Sequence, residues 1–171
     1  MKVIIVCGGL GSRLDKEGTI KPKSLIKIGS KTIIEHLIKI FAFSVNEIIL
    51  CTGHKYFMFE KYFRKKKNFK LISKKKNLVC FIGKYFDKKI KINLFFTGIN
   101  SGTGGRLKKT IKKFQIKENF FFTYGDGLSD INLDKLLKFH VKSKKLATVT
   151  AVVPPSKYGK FLDYVWPIAR C

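Results

Sequence analysis

Acidic residues are scarce in this sequence. It contains 11 Asp and Glu against 36 Lys and Arg, which gives a formal net charge of +25. Such an excess attracts polyanions whatever the fold, so nucleic acid has to be considered as a partner. Arginine is scarce too, at four residues, although recognition of phosphates and base edges usually recruits it. We therefore interpret most of the charge as lysine spread over a solvated surface, and we expect no specific nucleic-acid partner.

Long apolar runs are also missing. The run nearest the N-terminus, residues 3–7, is too short for the core of a signal peptide. No run approaches the ~18 residues that are needed to span a bilayer. We expect a cytoplasmic protein that does not bind a membrane. The 171 residues and the 45% hydrophobic content are enough for one domain with a proper core.

Cysteine and histidine are few and scattered. The four cysteines form no Cys-x-x-Cys pair, and the three histidines show no i, i+4 pairing. Zinc-site spacing is therefore absent, and we assign no histidine to a metal. Small core thiols in a reducing compartment are favoured over disulfides.

The apolar pattern predicts strands that alternate with helices. This alternation implies a mostly parallel sheet with helices on both faces, which is a three-layer, Rossmann-like α/β fold. Ligands on such sheets bind at the carboxyl ends of the strands. The predicted strands are residues 3–7, 47–51, 90–97, 120–123 and 147–153; the predicted helices are residues 32–43, 55–64, 107–114 and 133–141; residues 65–90 fit an inserted hairpin or flap.

A glycine-rich turn at residues 8–11 follows the first predicted strand. Without Cβ atoms the backbone can turn tightly and aim several N–H groups at one anion. Arg13 then adds a planar guanidinium and Lys23 a compact positive charge, so a binding site for a triphosphate is predicted. A strand-to-helix turn without a ligand is the alternative. The dinucleotide-binding fingerprint does not fit, because Leu14 stands where it needs glycine or alanine, and the Gly-Lys-Ser/Thr of a Walker loop is absent.

A second glycine-rich turn and an isolated carboxylate are predicted at the same edge of the sheet as the first glycine-rich turn. Residues 101–106 lead into another predicted helix and, like the first turn, could direct backbone N–H groups at a ligand. Asp126 lies between Gly125 and Gly127, directly after an apolar strand. Carboxylate oxygens suit Mg²⁺, which usually takes one or two of them together with phosphate oxygens and water. The alternative is a turn aspartate that caps the next element.

Five phrases of the sequence resemble the signature of sugar-1-phosphate nucleotidyltransferases, and most closely that of the glucose-1-phosphate cytidylyltransferases. They occur in the family's order and with plausible spacing. Departures within them are mild: Cys7 stands for alanine, Ser12 for threonine and Ser24 for proline. The phrases are Val-Cys-Gly-Gly-Leu-Gly-Ser-Arg-Leu at residues 6–14, Lys-Pro-Lys at 21–23, Thr-Gly-Gly-Arg-Leu-Lys at 103–108, Phe-Thr-Tyr-Gly-Asp-Gly at 122–127 and Val-Pro-Pro-Ser-Lys-Tyr-Gly at 153–159.

The resemblance implies Mg²⁺-dependent transfer of CMP from CTP to glucose 1-phosphate. CDP-glucose and pyrophosphate would form, for the synthesis of a surface polysaccharide such as O-antigen in lipopolysaccharide. It implies that Arg13, Lys23 and Asp126 are catalytic, with Asp126 as the metal ligand, and that residues 103–106 lie by the cytosine. The nucleotide-binding residues implied are Val6, Cys7, Gly8, Gly9, Leu10, Gly11, Ser12, Arg13, Lys23, Ser101, Thr103, Gly104, Gly105, Arg106 and Gly125.

The resemblance covers residues 1–162, which we expect to form the nucleotide-binding domain of such an enzyme in incomplete form. Family members continue with a lysine motif for the sugar phosphate and a second metal-binding aspartate. Here residues 163–171 form a divergent tail with the only Trp and no lysine, as in out-of-frame sequence or a shortened gene. Two alternatives to the enzyme remain, a catalytically poor nucleotide binder and a basic RNA-associated protein. A homo-oligomer also remains open.

Overall fold

A six-stranded mixed sheet forms the centre of the computed structural model, which describes residues 1–9, 21–85 and 87–152. Its strands are β1 (Lys2–Val6), β4 (Glu47–Thr52), β5 (Phe69–Lys75), β6 (Leu78–Tyr85), β7 (Lys88–Phe96) and β8 (Phe120–Tyr124). The spatial order is β5-β6-β7-β4-β1-β8. Strands β7, β4, β1 and β8 run parallel, while β5, β6 and β7 are antiparallel neighbours. A small hairpin of β2 (Lys27–Ile28) and β3 (Lys31–Thr32) lies outside this sheet.

One face of the sheet packs against helix α3 (Thr103–Phe114). Ile4, Ile49 and Cys51 are fully buried on this face, together with Phe95. The register explains this grouping, because residues that pair across neighbouring strands share a face, and Ile4 pairs with Ile49 while Cys51 pairs with Phe95. Leu107, Ile111 and Phe114 supply the apolar stripe of α3 that covers them.

The other face packs against helices α1 (Ile33–Ala42) and α2 (Tyr56–Arg64). Phe41 of α1 contacts Phe121 of β8, with ring centroids 5.8 Å apart. Phe63 of α2 contacts Phe81 of β6 at 5.6 Å. Phe121 and Phe81 belong to the same row of paired residues across the sheet, which runs through Val3, Ile48 and Ile92. Helices therefore cover both faces, and the predicted three-layer, Rossmann-like α/β architecture is confirmed.

A capping box starts α1 and is tied to α2 by a polar network. The Thr32 hydroxyl accepts from the Glu35 amide, and the Glu35 carboxylate accepts from the Thr32 amide at 3.0 Å. Lys66 donates to the same carboxylate at 2.6 Å. Burial would raise the pKa of Glu35, but the hydrogen bonds from Lys66, Tyr62 and Thr32 outweigh it and lower the pKa to about 2. The carboxylate thus stays ionised and holds the two helices together.

We expect Glu35→Gln to flatten the loss of stability in acid. A folded-state pKa of about 2 against an ordinary 4.5 means that the ionised carboxylate stabilises the fold fully above pH 4.5 and that this contribution disappears as the pH falls through 2. Urea unfolding between about pH 5 and about pH 2.5 should show a steeper fall in the free energy of unfolding for the wild type than for the variant. Asp87→Asn, at a fully exposed carboxylate, is the control. Parallel slopes for wild type and Glu35→Gln would contradict the network.

Most sequence predictions for this part of the chain are confirmed. Helices α1 and α2 begin and end within one residue of the predicted bounds, with Thr32 as the cap of α1, and residues 65–90 hold the β5–β6 hairpin. Helix α3 begins at Thr103, four residues before the predicted start, so residues 103–106, predicted as part of a glycine-rich turn, form its first helical turn. This hairpin extends the main sheet, which is therefore mixed beyond its four parallel strands. Cys7, Cys51 and Cys80 are buried free thiols, as expected.

The strand predicted at residues 147–153 is wrong for the part that the structure describes. Residues 147–152 form no strand, and Val149 and Val152 are exposed by 86% and 82%. Alternating Val and Thr favour a strand only where a neighbouring strand offers hydrogen bonds and a surface to pack on. No described strand pairs with this segment through backbone hydrogen bonds. The remaining residue, Val153, lies outside the described ranges.

Contacts divide the chain into two units, Met1–Ile131 and Asn132–Cys171. In the described part of the second unit, helix α4 (Leu133–Ser143) begins at Asn132, whose side chain accepts from the Lys135 amide at 2.9 Å. His140 on this helix bonds the Thr148 hydroxyl at 2.8 Å. The predicted helix is thus confirmed. None of the described helices of the chain has the length and apolar character required to cross a membrane.

Candidate functional site

A cavity of about 480 Å³ opens at the carboxyl ends of the parallel strands in the first unit. The turn after β1 forms one part of its wall, the loop between β7 and α3 another, and the turn after β8 a third. A 3₁₀ helix, Lys23–Leu25, contributes the remaining side. The lining residues are Val6, Cys7, Gly8, Gly9, Lys23, Ser24, Ile99, Asn100, Ser101, Gly102, Thr103, Arg106, Tyr124, Gly125 and Asp126.

Asp126 is held at the cavity by the close packing of Gly125. The Gly125 amide donates to the Val6 carbonyl at 2.9 Å, which continues the β1–β8 pairing beyond the strands. A Cβ on Gly125 would overlap the Ser24 hydroxyl and would lie 2.7 Å from the Cys7 sulfur. Only glycine lets the chain pass this close, so the sequence places Asp126 next to the 3₁₀ helix that carries Lys23. The predicted cation and the predicted carboxylate line one cavity.

We expect Gly125→Ala to be far more harmful than Gly127→Ala, although both glycines flank Asp126. A methyl group at Gly125 has no room, and overpacking of this kind typically costs about 1–3 kcal/mol of folding free energy. At Gly127 the added Cβ would meet nothing closer than 3.6 Å, which is an ordinary contact. Thermal unfolding of the two variants measures the difference. If both are equally stable, the close approach of the Asp126 turn to Ser24 and Cys7 is wrong.

Cys7 lines the cavity as a buried thiol, an environment that disfavours a nucleophilic thiolate. Burial raises the pKa of its thiol to about 12, although the hydrogen bond with Ser24 acts in the opposite direction. Burial likewise raises the pKa of Cys51 to about 11. Both thiols are therefore protonated at neutral pH, and a thiol is a poor nucleophile compared with a thiolate. Nothing in the described site therefore supports a covalent cysteine route.

The loop between β7 and α3 is fixed by two cations of α3. Lys109 donates to the Thr97 carbonyl at 2.9 Å and to the Ser101 hydroxyl at 2.8 Å. Arg106 donates to the Gly98 and Ile99 carbonyls. Gly98 has a φ of +101°, which few other residues tolerate. The segment from Ile99 to Thr103 consequently borders the cavity with a defined backbone.

The first turn of α3 brings backbone N–H groups to the same place. Its N-cap is Gly102, which makes no side-chain capping bond, so no side chain of the cap residue competes with a ligand for the first N–H groups of the helix. Thr103 and Gly102 line the cavity, whereas Gly104 and Gly105 lie in the helical turn behind them.

Ten of the sixteen sequence-predicted site residues line this one cavity; of the other six, two lie beside it and four lie outside the described residues. The structure brings together Val6, Cys7, Gly8, Gly9, Lys23, Ser101, Thr103, Arg106, Gly125 and Asp126. Gly104 and Gly105 are adjacent to it on α3. Leu10, Gly11, Ser12 and Arg13 lie outside the described residues, so their roles remain predictions, as do those of the residues the cavity brings together.

Sequence reasoning missed five lining residues: Ser24, Ile99, Asn100, Gly102 and Tyr124. Ser24 follows Lys-Pro-Lys, and Ile99 and Asn100 precede the second glycine turn, whereas Gly102 lies within that turn and Tyr124 within the phrase at residues 122–127. Position in or next to a motif was thus the available signal. Asn100 adds an exposed amide, which can both donate and accept hydrogen bonds.

Groups of three or more His, Cys, Asp or Glu that could enclose a metal ion are absent from the described ranges. Asp126 is the single carboxylate among the described residues that line the cavity. This donor set does not form a cage for a structural metal. It fits an ion that shares its coordination sphere with phosphate oxygens and water, as Mg²⁺ commonly does.

Comparison with known proteins agrees with this arrangement. Residues 2–161 match the family model described as nucleotidyl transferase. Glucose-1-phosphate cytidylyltransferase of Salmonella typhimurium is 33% identical over 169 residues, which cover 93% of this chain and 63% of that protein. D-glycero-alpha-D-manno-heptose 1-phosphate guanylyltransferase of Campylobacter jejuni is 31% identical, over 80% of this chain and 52% of that protein. The chain therefore spans less than two thirds of the length of these relatives.

A solved structure shows the same fold at lower identity. HddC from Yersinia pseudotuberculosis, solved with GMP-PN, superimposes with a TM-score of 0.58 and 22% identity over 82% of this chain and 54% of that one. The similarity covers the architecture described above. The match of the family model over nearly the whole sequence shows that this chain belongs to the nucleotidyl transferase family.

Proposed function

We propose that this protein is a sugar-1-phosphate nucleotidyltransferase that transfers CMP from CTP to glucose 1-phosphate. The observation that carries the proposal is that Lys23, Asp126 and the N-terminus of α3, which has no side-chain cap, line one cavity at the carboxyl ends of parallel strands. The relatives named above use different nucleotides, cytidine in one and guanosine in the other. Cytidine and glucose 1-phosphate are proposed because the motif resemblance is to the cytidylyltransferases. The product, CDP-glucose, would supply the synthesis of a surface polysaccharide.

The reaction needs positioning and charge neutralisation more than acid–base chemistry. A phosphate oxygen of the sugar phosphate attacks the α-phosphorus of CTP in line and forms the new P–O bond. The bond from that phosphorus to the bridging oxygen breaks, and pyrophosphate leaves with the electron pair. The attacking oxygen is already an anion at neutral pH, so no proton has to be removed. Catalysis is therefore expected to come from groups that hold the phosphates in place and balance their charge.

Individual residues supply these functions in the proposal. Lys23 lines the cavity as a point charge for the departing phosphates. The amides of the first turn of α3, whose cap residue makes no side-chain capping bond, would donate to the nucleotide. Asp126 would hold Mg²⁺, which supplies charge neutralisation on the phosphate oxygens when bound. Arg13, from the first glycine turn, remains a predicted phosphate ligand outside the described residues.

A nucleotide-binding protein without turnover is the second candidate. The observation that favours it is that Asp126 is the single carboxylate among the described residues that line the cavity. Binding of a nucleotide requires the glycine turns and the cations, whereas turnover also requires the acceptor phosphate to be held in line. Calorimetric binding of CTP without pyrophosphate release would support this candidate.

Pyrophosphate release by the purified chain tests the proposal. The chain is incubated with Mg²⁺, glucose 1-phosphate and each of CTP, UTP, dTTP, GTP and ATP in turn. We expect release with CTP to exceed release with every other nucleotide by at least about tenfold, which corresponds to about 1.4 kcal/mol of discrimination. Equal rates would contradict the choice of cytidine. Failure to bind any nucleotide, together with RNA binding that falls steeply with salt, would favour the basic RNA-associated alternative.

A further inference from the structure

The side chain of Arg106 is buried beneath the cavity and is fully engaged with the protein. It is 3% exposed. Its Nη1 donates to the carbonyls of Thr52 at 3.0 Å and Gly98 at 2.8 Å and to the Thr97 hydroxyl. Its Nη2 donates to the carbonyls of Gly8 at 2.8 Å and Ile99 at 3.1 Å. Four of the five acceptors are therefore main-chain oxygens, at the carboxyl ends of β1, β4 and β7.

Two glycines leave the space that this guanidinium occupies. A Cβ on Gly53 would lie 2.7 Å from both Nη1 and Nη2. A Cβ on Gly8 would overlap the Cζ atom and would lie 2.8 Å from Nε. From the sequence alone, the glycine at position 8 was explained by the close approach of an anion to the backbone. In the structure the cation of Arg106 occupies the space beside its Cα, which is a separate reason for glycine at this position.

The charge of Arg106 has no described acidic side chain as a partner. The hydrogen bonds of its guanidinium go to carbonyl dipoles and one hydroxyl. Burial lowers its pKa below the ordinary value, but arginine is effectively always protonated. A net positive charge therefore remains directly behind the turn that contains Gly8 and Gly9, where it adds to the attraction for phosphate groups.

We propose that Arg106 is a positioning residue that holds the first glycine turn, through the Gly8 carbonyl, in register with the loop of residues 97–101. The inference rests on the proposed function, because it concerns how these two segments approach a bound nucleoside triphosphate. Arg106 acts on the phosphates through the backbone of Gly8, and it does not contact the base. This assignment differs from the contact with cytosine that the motif resemblance implied for residues 103–106.

Lysine cannot replace arginine in this role. The five N–H donors of a guanidinium are fixed in one plane and can serve carbonyls on several sides at once. An ammonium group carries three donors on a flexible stem and would leave at least two of the five acceptors without their present partner. Arg106→Lys retains the charge and loses the geometry, whereas Arg106→Met loses both.

A double-mutant cycle tests the contact without any nucleotide. Thermal unfolding is measured for wild type, Gly8→Ala, Arg106→Met and the double variant. Gly8→Ala should lower the melting temperature in the wild-type background, because its methyl group displaces the guanidinium. In the Arg106→Met background the same change should have a much smaller effect, because methionine ends at the place of Nε and lacks the Cζ and Nη1 atoms that the added methyl group would overlap. Additive shifts would overturn the proposed contact, whether or not the chain binds nucleotides.

Nucleotide affinity then separates positioning from base recognition. Calorimetry compares CTP, UTP and CMP on wild type, Arg106→Lys and Arg106→Met, at a temperature where all are folded. We expect both variants to lower the affinities for CTP and UTP by the same factor, about tenfold or more. The affinity for CMP should fall much less, because CMP lacks the phosphates that the Gly8 turn would hold. Arg64→Met, at an exposed arginine of α2 paired with Glu60, removes the same charge and should change none of these affinities.

Each other outcome decides against the inference. A loss confined to CTP would show that Arg106 recognises the base. A lower melting temperature with unchanged affinities would show that it only stabilises the fold. Full rescue by Arg106→Lys would show that its charge is sufficient and its geometry is not needed. If wild type binds no triphosphate at all, the proposed function fails, and the positioning role through Gly8 fails with it even if the double-mutant cycle shows the contact.

Discussion

Asp126→Asn should reduce pyrophosphate release by roughly two to four orders of magnitude, which corresponds to about 3–5 kcal/mol of transition-state stabilisation. The substitution retains the size of the side chain and removes the negative charge that Mg²⁺ requires of its protein ligand. Asp126 is exposed in the cavity, so the amide can be accommodated without repacking. Folding stability should therefore change little while Mg²⁺-dependent binding of CTP is lost.

Asp130→Asn is the matched control for this change. Asp130 follows Asp126 by four residues, is exposed, and lies outside the residues that line the cavity. Initial rates as a function of Mg²⁺ concentration, with calorimetry of CTP in the presence and absence of Mg²⁺, provide two independent measurements. If Asp126→Asn retains wild-type dependence on Mg²⁺ in both, Asp126 is a turn residue and the metal site is misplaced.

Lys23→Met is expected to weaken binding of CTP by about 10–100-fold, or about 1.4–2.8 kcal/mol. Lys23 is partly buried at the cavity wall, where its interaction with phosphates is less screened by solvent than that of a surface lysine. Methionine retains most of the length and the apolar stem, so the change isolates the charge. The effect should be larger for the triphosphate than for CMP.

Lys67→Met provides the comparison for a general loss of charge. Lys67 is exposed on the turn before β5, away from the cavity. With a formal net charge of +25, any lysine contributes slightly to the attraction for anions, and that contribution should fade as salt is raised. Similar losses for Lys23→Met and Lys67→Met in calorimetry would mean that diffuse surface charge binds the nucleotide and that the cavity does not.

Much of the fold could be predicted because hydrophobic periodicity and glycine turns are local signals. The fully apolar segment Val3 to Ile5 predicts a strand buried on both sides, and such strands require helices on both faces of the sheet. Residues 147–152 show where this reasoning fails. Their pattern favours a strand, but a strand also needs a neighbour, and pairing depends on residues far away in sequence.

The site could be predicted only as far as the residue types that meet the ligand. Lys23 and Asp126 were identified from chemistry and motif position, and the structure brings them to one cavity. The environment of Arg106 could not be predicted. Its acceptors are carbonyls of residues 8, 52, 98 and 99, which every sequence contains, so no residue pattern marks where they converge. For the same reason Gly8 was interpreted only as a residue of a ligand site, and the fit of Gly53 against the guanidinium was not anticipated.

The pairing of β1 with β8 also sets the order in which the site can assemble. Lys2 pairs with Phe120 and Val6 with Tyr124, so the strand that carries Asp126 joins the sheet beside the first strand of the chain. Contacts between residues so distant in sequence form slowly, because closing a long loop costs entropy before any contact compensates. During synthesis the glycine turn after β1 leaves the ribosome early and stays without its Asp126 neighbour until residue 126 has emerged. The cavity is therefore complete only after most of the first unit has been made.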